Sequence, residues 1–391
     1  MKPIKLLLPG LLLSATFARA VYAPIPEQQA VDALTFEVRG GITSDSNIFA
    51  DQTSKIESTV YTVSPKVLFN ASLTDQTFLS TFYQLTIDHF SDRPTDSTLD
   101  SHQVMARLAH QFSSATTIDF NDTFTTQRNP QSLLAGQPIN TDQSFKNNEI
   151  NVVFSTSMTP RANLTLKGRM GTFRYDNAQL SANLDRAENL YGIAAGFEFL
   201  PELTLDGELR FQWIDYRTAS STKDKRSEFY LVGADYRVGE TLTASGRAGY
   251  EDRKRDGAKG TSAPYLELTG SYDYAEGSRL TGGMVFTYEE ASNVTLFTDT
   301  QAYNFFTNIQ HAVTPLITAS AAVNYEPSQL KGRVGVHNVD ETTWRFGLAL
   351  SYVPNQNLTL SATYDRDDVS SDDPSREFNR DRFGVSAIFR Y

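Results

Sequence analysis

Charged side chains recur at alternate residues through much of this chain, and that spacing limits the chemistry they can do. Arg107, Lys167, Arg169, Arg210, Arg237, Arg247, Arg279, Arg345 and Arg382 are basic members of such runs; Glu208, Asp235 and Glu267 are acidic ones. Arg39, Lys66, Arg390, Asp88, Asp119, Asp206, Glu251, Glu289 and Asp365 extend the pattern. A period of two places these groups on one face of an extended strand. One reading is a polar track for a hydrophilic or anionic solute, with Arg taking carboxylates through paired hydrogen bonds. The other is a solvated wall whose opposite charges pair across neighbouring strands.

Other chemistry has little support. His89, His102, His110, His311 and His337 are scattered and form no H-E-x-x-H pattern. Asp88-His89 is a lone acid–histidine pair near a strand end, too little for a hydrolytic centre. Ser220, Ser221, Thr222 and Lys223 match S-x-x-K but lie in an expected loop without the companion motifs. Asp365, Asp367, Asp368, Asp372 and Asp373 read as an acidic loop, which would either hold a hard cation or be a solvated surface. There is no phosphate-binding loop, dinucleotide fingerprint or nucleophile elbow. With no cysteine, thiol catalysis, thiolate metal sites and disulfides are excluded. The expectation is a non-enzyme with no cofactor and no metal.

The elements that carry the charges are strands. In 342–352, Trp344, Phe346, Leu348, Leu350 and Tyr352 form one face, against Thr343, Arg345, Gly347, Ala349 and Ser351. In 203–213, Leu203, Leu205, Leu209, Phe211 and Trp213 oppose Asp206, Glu208, Arg210 and Gln212. Tight turns fall near Thr74, Ser114, Pro160, Pro201, Gly239, Gly277, Pro315 and Asn355. They recur at roughly 40 residues, a hairpin repeat with short turns on one side and longer polar loops on the other. The strands are long, about 10 to 14 residues, where soluble ones average five or six. Tyr250, Tyr272, Tyr274, Tyr288, Tyr325 and Tyr364 cluster at strand ends, as interfacial girdles do. The expected fold is all-β: a transmembrane antiparallel up-and-down β-barrel of about eighteen strands, with sixteen the second choice. Expected strands include 226–238, 241–252, 316–326 and 357–366. A closed barrel of this size leaves an aqueous channel.

The N-terminus has Lys2 and Lys5, an apolar stretch from Leu6 to Phe17 and an Ala18-Arg19-Ala20 cleavage site. It reads as a signal peptide over 1–20, with cleavage after 23 as the alternative. A short polar leader, 21–32, and a barrel over 33–391 follow. Removing Lys2, Lys5 and Arg19 takes the net charge from -11 to about -14, which argues against nucleic acid. Phe389 and Tyr391 give the last strand the aromatic end of a barrel-insertion signal. The 128–146 loop, with Leu133 and Leu134, either folds into the pore or covers its rim.

One short segment resembles a known family. Asp45, Ser46, Asn47, Ile48 and Phe49 follow the first strand, and Val63-Ser-Pro-Lys-Val67 lies on the second. This pairing resembles the putative beta-barrel porin 2 family, some of whose members accompany exopolysaccharide biosynthesis operons. The resemblance implies a passive barrel of the bacterial outer membrane and offers no catalytic residues. Read locally, Asp45 and Asn47 are turn residues and Ile48-Phe49 an anchor. The implied role is a pore for hydrophilic solutes or exopolysaccharide. The competing reading is a non-conducting surface barrel acting as an adhesin or assembly partner. Expected partners are outer-membrane lipid, the barrel-assembly machinery, and polysaccharide with its export components. The oligomeric state is left open.

Overall fold

The computed structural model describes residues 33–127, 144–217, 223–256, 260–291 and 296–391. The expected signal peptide and leader, most of the 128–146 loop and three residues of the S-x-x-K match lie outside the described residues.

Eighteen strands are formed by the described residues: β1 (Leu34–Asp45), β2 (Ser58–Thr74), β3 (Thr77–Phe90), β4 (Thr98–Ser113), β5 (Thr116–Gln127), β6 (Phe145–Thr159), β7 (Ala162–Tyr175), β8 (Arg186–Leu200), β9 (Leu203–Tyr216), β10 (Lys225–Val238), β11 (Leu242–Arg255), β12 (Thr261–Ala275), β13 (Ser278–Glu290), β14 (Phe297–Thr314), β15 (Ile317–Gly332), β16 (Val339–Asn355), β17 (Leu358–Ser371) and β18 (Phe378–Arg390). A short helix, α1 (Ala178–Leu184), sits in the β7–β8 connection. Each strand pairs antiparallel with its sequence neighbour, and β1 also pairs with β18, so the sheet closes on itself. At the seam Val38 stands opposite Phe389 and Asp45 opposite Arg382. The Phe36 and Tyr391 backbones exchange hydrogen bonds of 2.7 and 2.8 Å. Closure leaves no edge strand, the condition for a sheet to lie in lipid.

Alternation decides which way each side chain points. On β9, Leu205, Leu209 and Phe211 are exposed outward, while Glu208 and Arg210 are buried on the inner side. On β16, Trp344, Phe346, Leu348, Leu350 and Tyr352 face out, and Glu341, Thr343, Ala349 and Ser351 are buried. The apolar surface is therefore the barrel's exterior, where lipid serves as the dry partner. Aromatic rings pack in tilted pairs along this exterior, with centroids 4.2 Å apart for Tyr325–Trp344 and 4.4 Å for Phe286–Tyr303. At the tight ends, Gly239 (φ 59°) and Gly277 (φ 68°) supply left-handed turn conformations open to glycine.

Two strands run further than their sequence signals. The expected strand 316–326 stops just before Pro327, yet β15 continues to Gly332. Pro327 stands opposite Thr342 of β16, and the ladder to β14 is interrupted between Tyr325 and Ser328, which accommodates its missing N–H. The expected acidic loop is also mostly strand: β17 reaches Ser371 and includes Asp365, Asp367 and Asp368. Period two persists there in charged residues, so hydrophobicity alone missed it.

Candidate functional site

The register sets Arg107, Lys167, Arg169, Glu208, Arg210, Asp235, Arg237, Arg247, Glu267, Arg279, Arg345 and Arg382 on the inner face, opposite in parity to the exposed apolar row of each strand. Many of them already have partners. Arg107 Nε lies 2.9 Å from both carboxylate oxygens of Asp119. Arg382 reaches Asp367 at 3.0 Å, and Arg279 reaches Asp273 at 2.9 Å. Arg169 and Arg237 have no ion pair among the described residues.

On the β7–β14 side the charges gather into two adjoining networks. Glu208 accepts from Lys167 Nζ at 3.2 Å and from Arg210 Nη2 at 2.9 Å. Arg247 reaches Asp206 at 3.3 Å and Asp235 at 3.1 Å. Arg210 also donates to the Tyr265 hydroxyl, which donates to Glu267. Further along, Glu290 takes Lys225 at 3.2 Å, Arg255 at 2.9 Å and the Tyr216 hydroxyl at 2.7 Å, while Arg253 takes Asp299 at 2.8 Å. Glu208 and Glu251 are each 1% exposed, so these side chains cover one another and form a shelf inside the wall.

The shelf also reports shape. Tyr216 ends β9 and Glu290 ends β13, four strand steps away, or roughly 19 Å along a sheet. Extended Tyr and Glu side chains joined by a hydrogen bond span only about 14 Å. The curvature of the closed wall brings these two inward side chains together at its long-loop end. The loops converge there too. Lys223, before β10, is buried and donates to Asn183 at 3.0 Å. Burial pushes its ammonium below the ordinary lysine value, and Arg333, beyond β15, pushes it further. Lys225, Arg253, Arg255, Glu290, Asp299 and Tyr216 were not among the sequence candidates. Expected strand limits at 226 and 252 cut Lys225, Arg253 and Arg255 off, although their alternation with Ser227 and Glu251 carried the signal.

The Asp45–Phe49 segment has a structural job. Arg380 Nε donates to both Asp45 oxygens, at 2.9 and 3.0 Å. Asn47 is fully buried; its amide donates to the carbonyls of Asp51 and Asn379 and accepts from the Asp51 N–H. Ser46 exchanges bonds with Asp381. Ile48 packs with Val60, Phe90 and Leu99, with Phe49 beside it, and Ala50 packs with Val369 and Phe378. All five of those partners are inward-facing, so the loop over 46–57 folds into the barrel mouth and spans the β1–β18 seam. Phe389 and Tyr391 face outward at the opposite end of that seam.

The β3–β6 wall has a different character. Gln84, Gln103, Thr125 and Asn147 stand directly opposite one another across these four strands on the inner face. Gln84 donates to Ser64 at 3.0 Å. The Gln103 and Thr125 side chains have no hydrogen-bond partner among the described residues, and the buried Asn147 Oδ1 has none either.

Elsewhere, alternation separates Asp88 from His89. Asp88 faces inward and accepts from Thr62, whereas His89 faces outward against Thr98. Among the described residues no group of three or more His, Asp or Glu side chains is placed to hold a metal. Of the acidic segment, Asp367 pairs with Arg382, Asp368 with Arg366, and Asp373 caps a short 3-10 turn.

A family model described as Putative beta-barrel porin 2 matches residues 34–391. No curated relative matches the sequence. Similar solved structures include a mutant of the ferric enterobactin receptor PfeA from Pseudomonas aeruginosa, 8% identical, covering 93% of this chain and 81% of that one, with a TM-score of 0.49. OpdK from Pseudomonas aeruginosa, solved with vanillate, is 10% identical over 92% of this chain and 99% of that one, with a TM-score of 0.49. OccAB4 from Acinetobacter baumannii is 10% identical over 92% and 98%, with a TM-score of 0.47.

Proposed function

The chain belongs to the Putative beta-barrel porin 2 family, and from that premise we propose that it is a passive pore of the bacterial outer membrane for hydrophilic solutes, exopolysaccharide among them. The observation that carries this reading is the division of one closed sheet into an apolar exterior and a polar interior. Such a wall is stable only with lipid outside and water inside. Solutes would cross by diffusion, without cofactor or covalent step. The tight turns and both barrel ends would face the periplasm, and the longer loops the exterior. Outer-membrane lipid and the barrel-assembly machinery are the expected partners.

Single-channel recording of the folded, signal-free protein in a planar bilayer tests this directly. Stable steps that persist across many insertions support a pore. A protein that inserts as folded barrel and never conducts overturns it. The second reading, a barrel that does not conduct and acts through its loops, gains support from the shelf and the inward loop, both of which narrow the mouth.

A further inference from the structure

The interior is two-sided, and the difference bears on which solute it favours. On the β7–β14 side, the most buried cations are matched by this chain's own carboxylates, Arg210 by Glu208, Arg253 by Asp299 and Arg255 by Glu290, while Arg169 and Arg237 have no ion pair among the described residues. An incoming carboxylate or phosphate would have to displace a buried partner to reach these guanidiniums, leaving an unpaired buried charge. The adjoining β3–β6 wall carries a band of uncharged groups, set between Asp88 on the long-loop side and Glu149 and the Arg107–Asp119 pair on the tight-turn side. Gln84, Gln103, Thr125 and Asn147 form a row of amides and one hydroxyl across β3, β4, β5 and β6. The row spans roughly 14 Å.

We propose that this row is a binding subsite for an uncharged, hydroxyl-rich chain, a neutral oligosaccharide or polyol, and that it sets the pore's preference for neutral over anionic saccharide. Side-chain amides and hydroxyls both donate and accept, as sugar hydroxyls do, so one surface satisfies many hydroxyl orientations. The second observation is the state of these groups. Gln103 and Thr125 have no partner among the described residues, and Asn147 Oδ1 is a buried acceptor without one. Gln103 and Thr125 are half-exposed on the inner face, so their amide and hydroxyl are open to a solute in exchange for water. Gln84, held by Ser64, gives the row a fixed end.

This inference rests on the pore reading for its biological meaning, but its test does not need conduction. Calorimetric titration of the detergent-folded protein would use maltohexaose, mannohexaose and xylohexaose as neutral probes and hexagalacturonate as the charged one. At least one neutral hexamer should bind about tenfold or more tightly than hexagalacturonate. Gln103→Ala combined with Thr125→Val should weaken it by about tenfold, the loss of a hydrogen bond or two. Glu267→Gln, on β12, should leave the neutral affinity unchanged. Hexagalacturonate binding as well as the neutral hexamers, no binding by any neutral hexamer, or indifference to the double substitution would each overturn the proposal. Binding without channel steps in the bilayer would instead retain the subsite and remove the pore.

Discussion

Arg380 and Asp45 are 335 residues apart in sequence and form a buried ion pair, with Arg380 Nε 2.9 and 3.0 Å from the two carboxylate oxygens. Each side chain is 3% exposed. Asp45 ends the first strand and Arg380 begins the last, so the pair fastens the barrel at the seam where its two ends meet.

Removing one partner leaves the other charge buried. Arg380→Ala should cost about 3–5 kcal/mol of folding stability. Unfolding by urea in lipid vesicles would measure it. Asp45→Ala with Arg380→Ala should cost less than the two single losses added together, because the double variant strands no charge. Single losses below about 1 kcal/mol, as for a surface pair, would remove the clasp role.

Asn47 should tolerate no isostere. Its amide nitrogen donates to two carbonyls while its oxygen accepts an N–H. Asn47→Asp replaces the donors with an oxygen facing those carbonyls, so it should destabilise at least as much as Asn47→Ala, about 2 kcal/mol or more. Both should free the loop over 46–57 for proteolysis between 51 and 57 and raise the channel's unit conductance. Unchanged protection from protease would show the loop held by its apolar contacts alone.

The exterior can be tested with one charge. Leu348 faces out on β16 between outward Phe346 and Leu350, and Ala349 faces in. Leu348→Arg should lower the folding free energy in bilayers by about 2–4 kcal/mol. The same substitution should matter far less in detergent, where the micelle deforms around the guanidinium. Equal effects in both media would argue that this face is covered by protein.

Glu208 holds Lys167 and Arg210 together on the shelf. Glu208→Gln keeps the shape, removes one negative charge and frees two cations toward the lumen. The permeability ratio should move toward anions, read as a shift in reversal potential under a salt gradient. Loss of the folded, heat-modifiable band on gels would instead assign Glu208 to stability alone. Glu267→Gln, at a carboxylate held chiefly by the Tyr265 hydroxyl, provides the milder comparison in the same direction.

How much of this could be read from sequence differs by residue. Leu205, Leu209 and Phe211 against Glu208 and Arg210 declare their faces by alternation, a property local to one strand. The turns at Gly239 and Gly277 are local as well. Together they determined strands, hairpins, an even strand count and a barrel. The same logic fell short at the expected limits of 326 and 366, beyond which pairing with neighbouring strands carries β15 and β17 further. What only the tertiary structure decided is which inward groups meet. Tyr216 touching Glu290, or Asp45 touching Arg380, depends on wall curvature and on closure between the first and last strands. Neither is encoded in the spacing of residues along one strand. The loop over 46–57 turns inward for the same reason: Ile48 and Ala50 find their apolar partners on strands from both sides of the seam, and those surfaces become one only when the barrel closes.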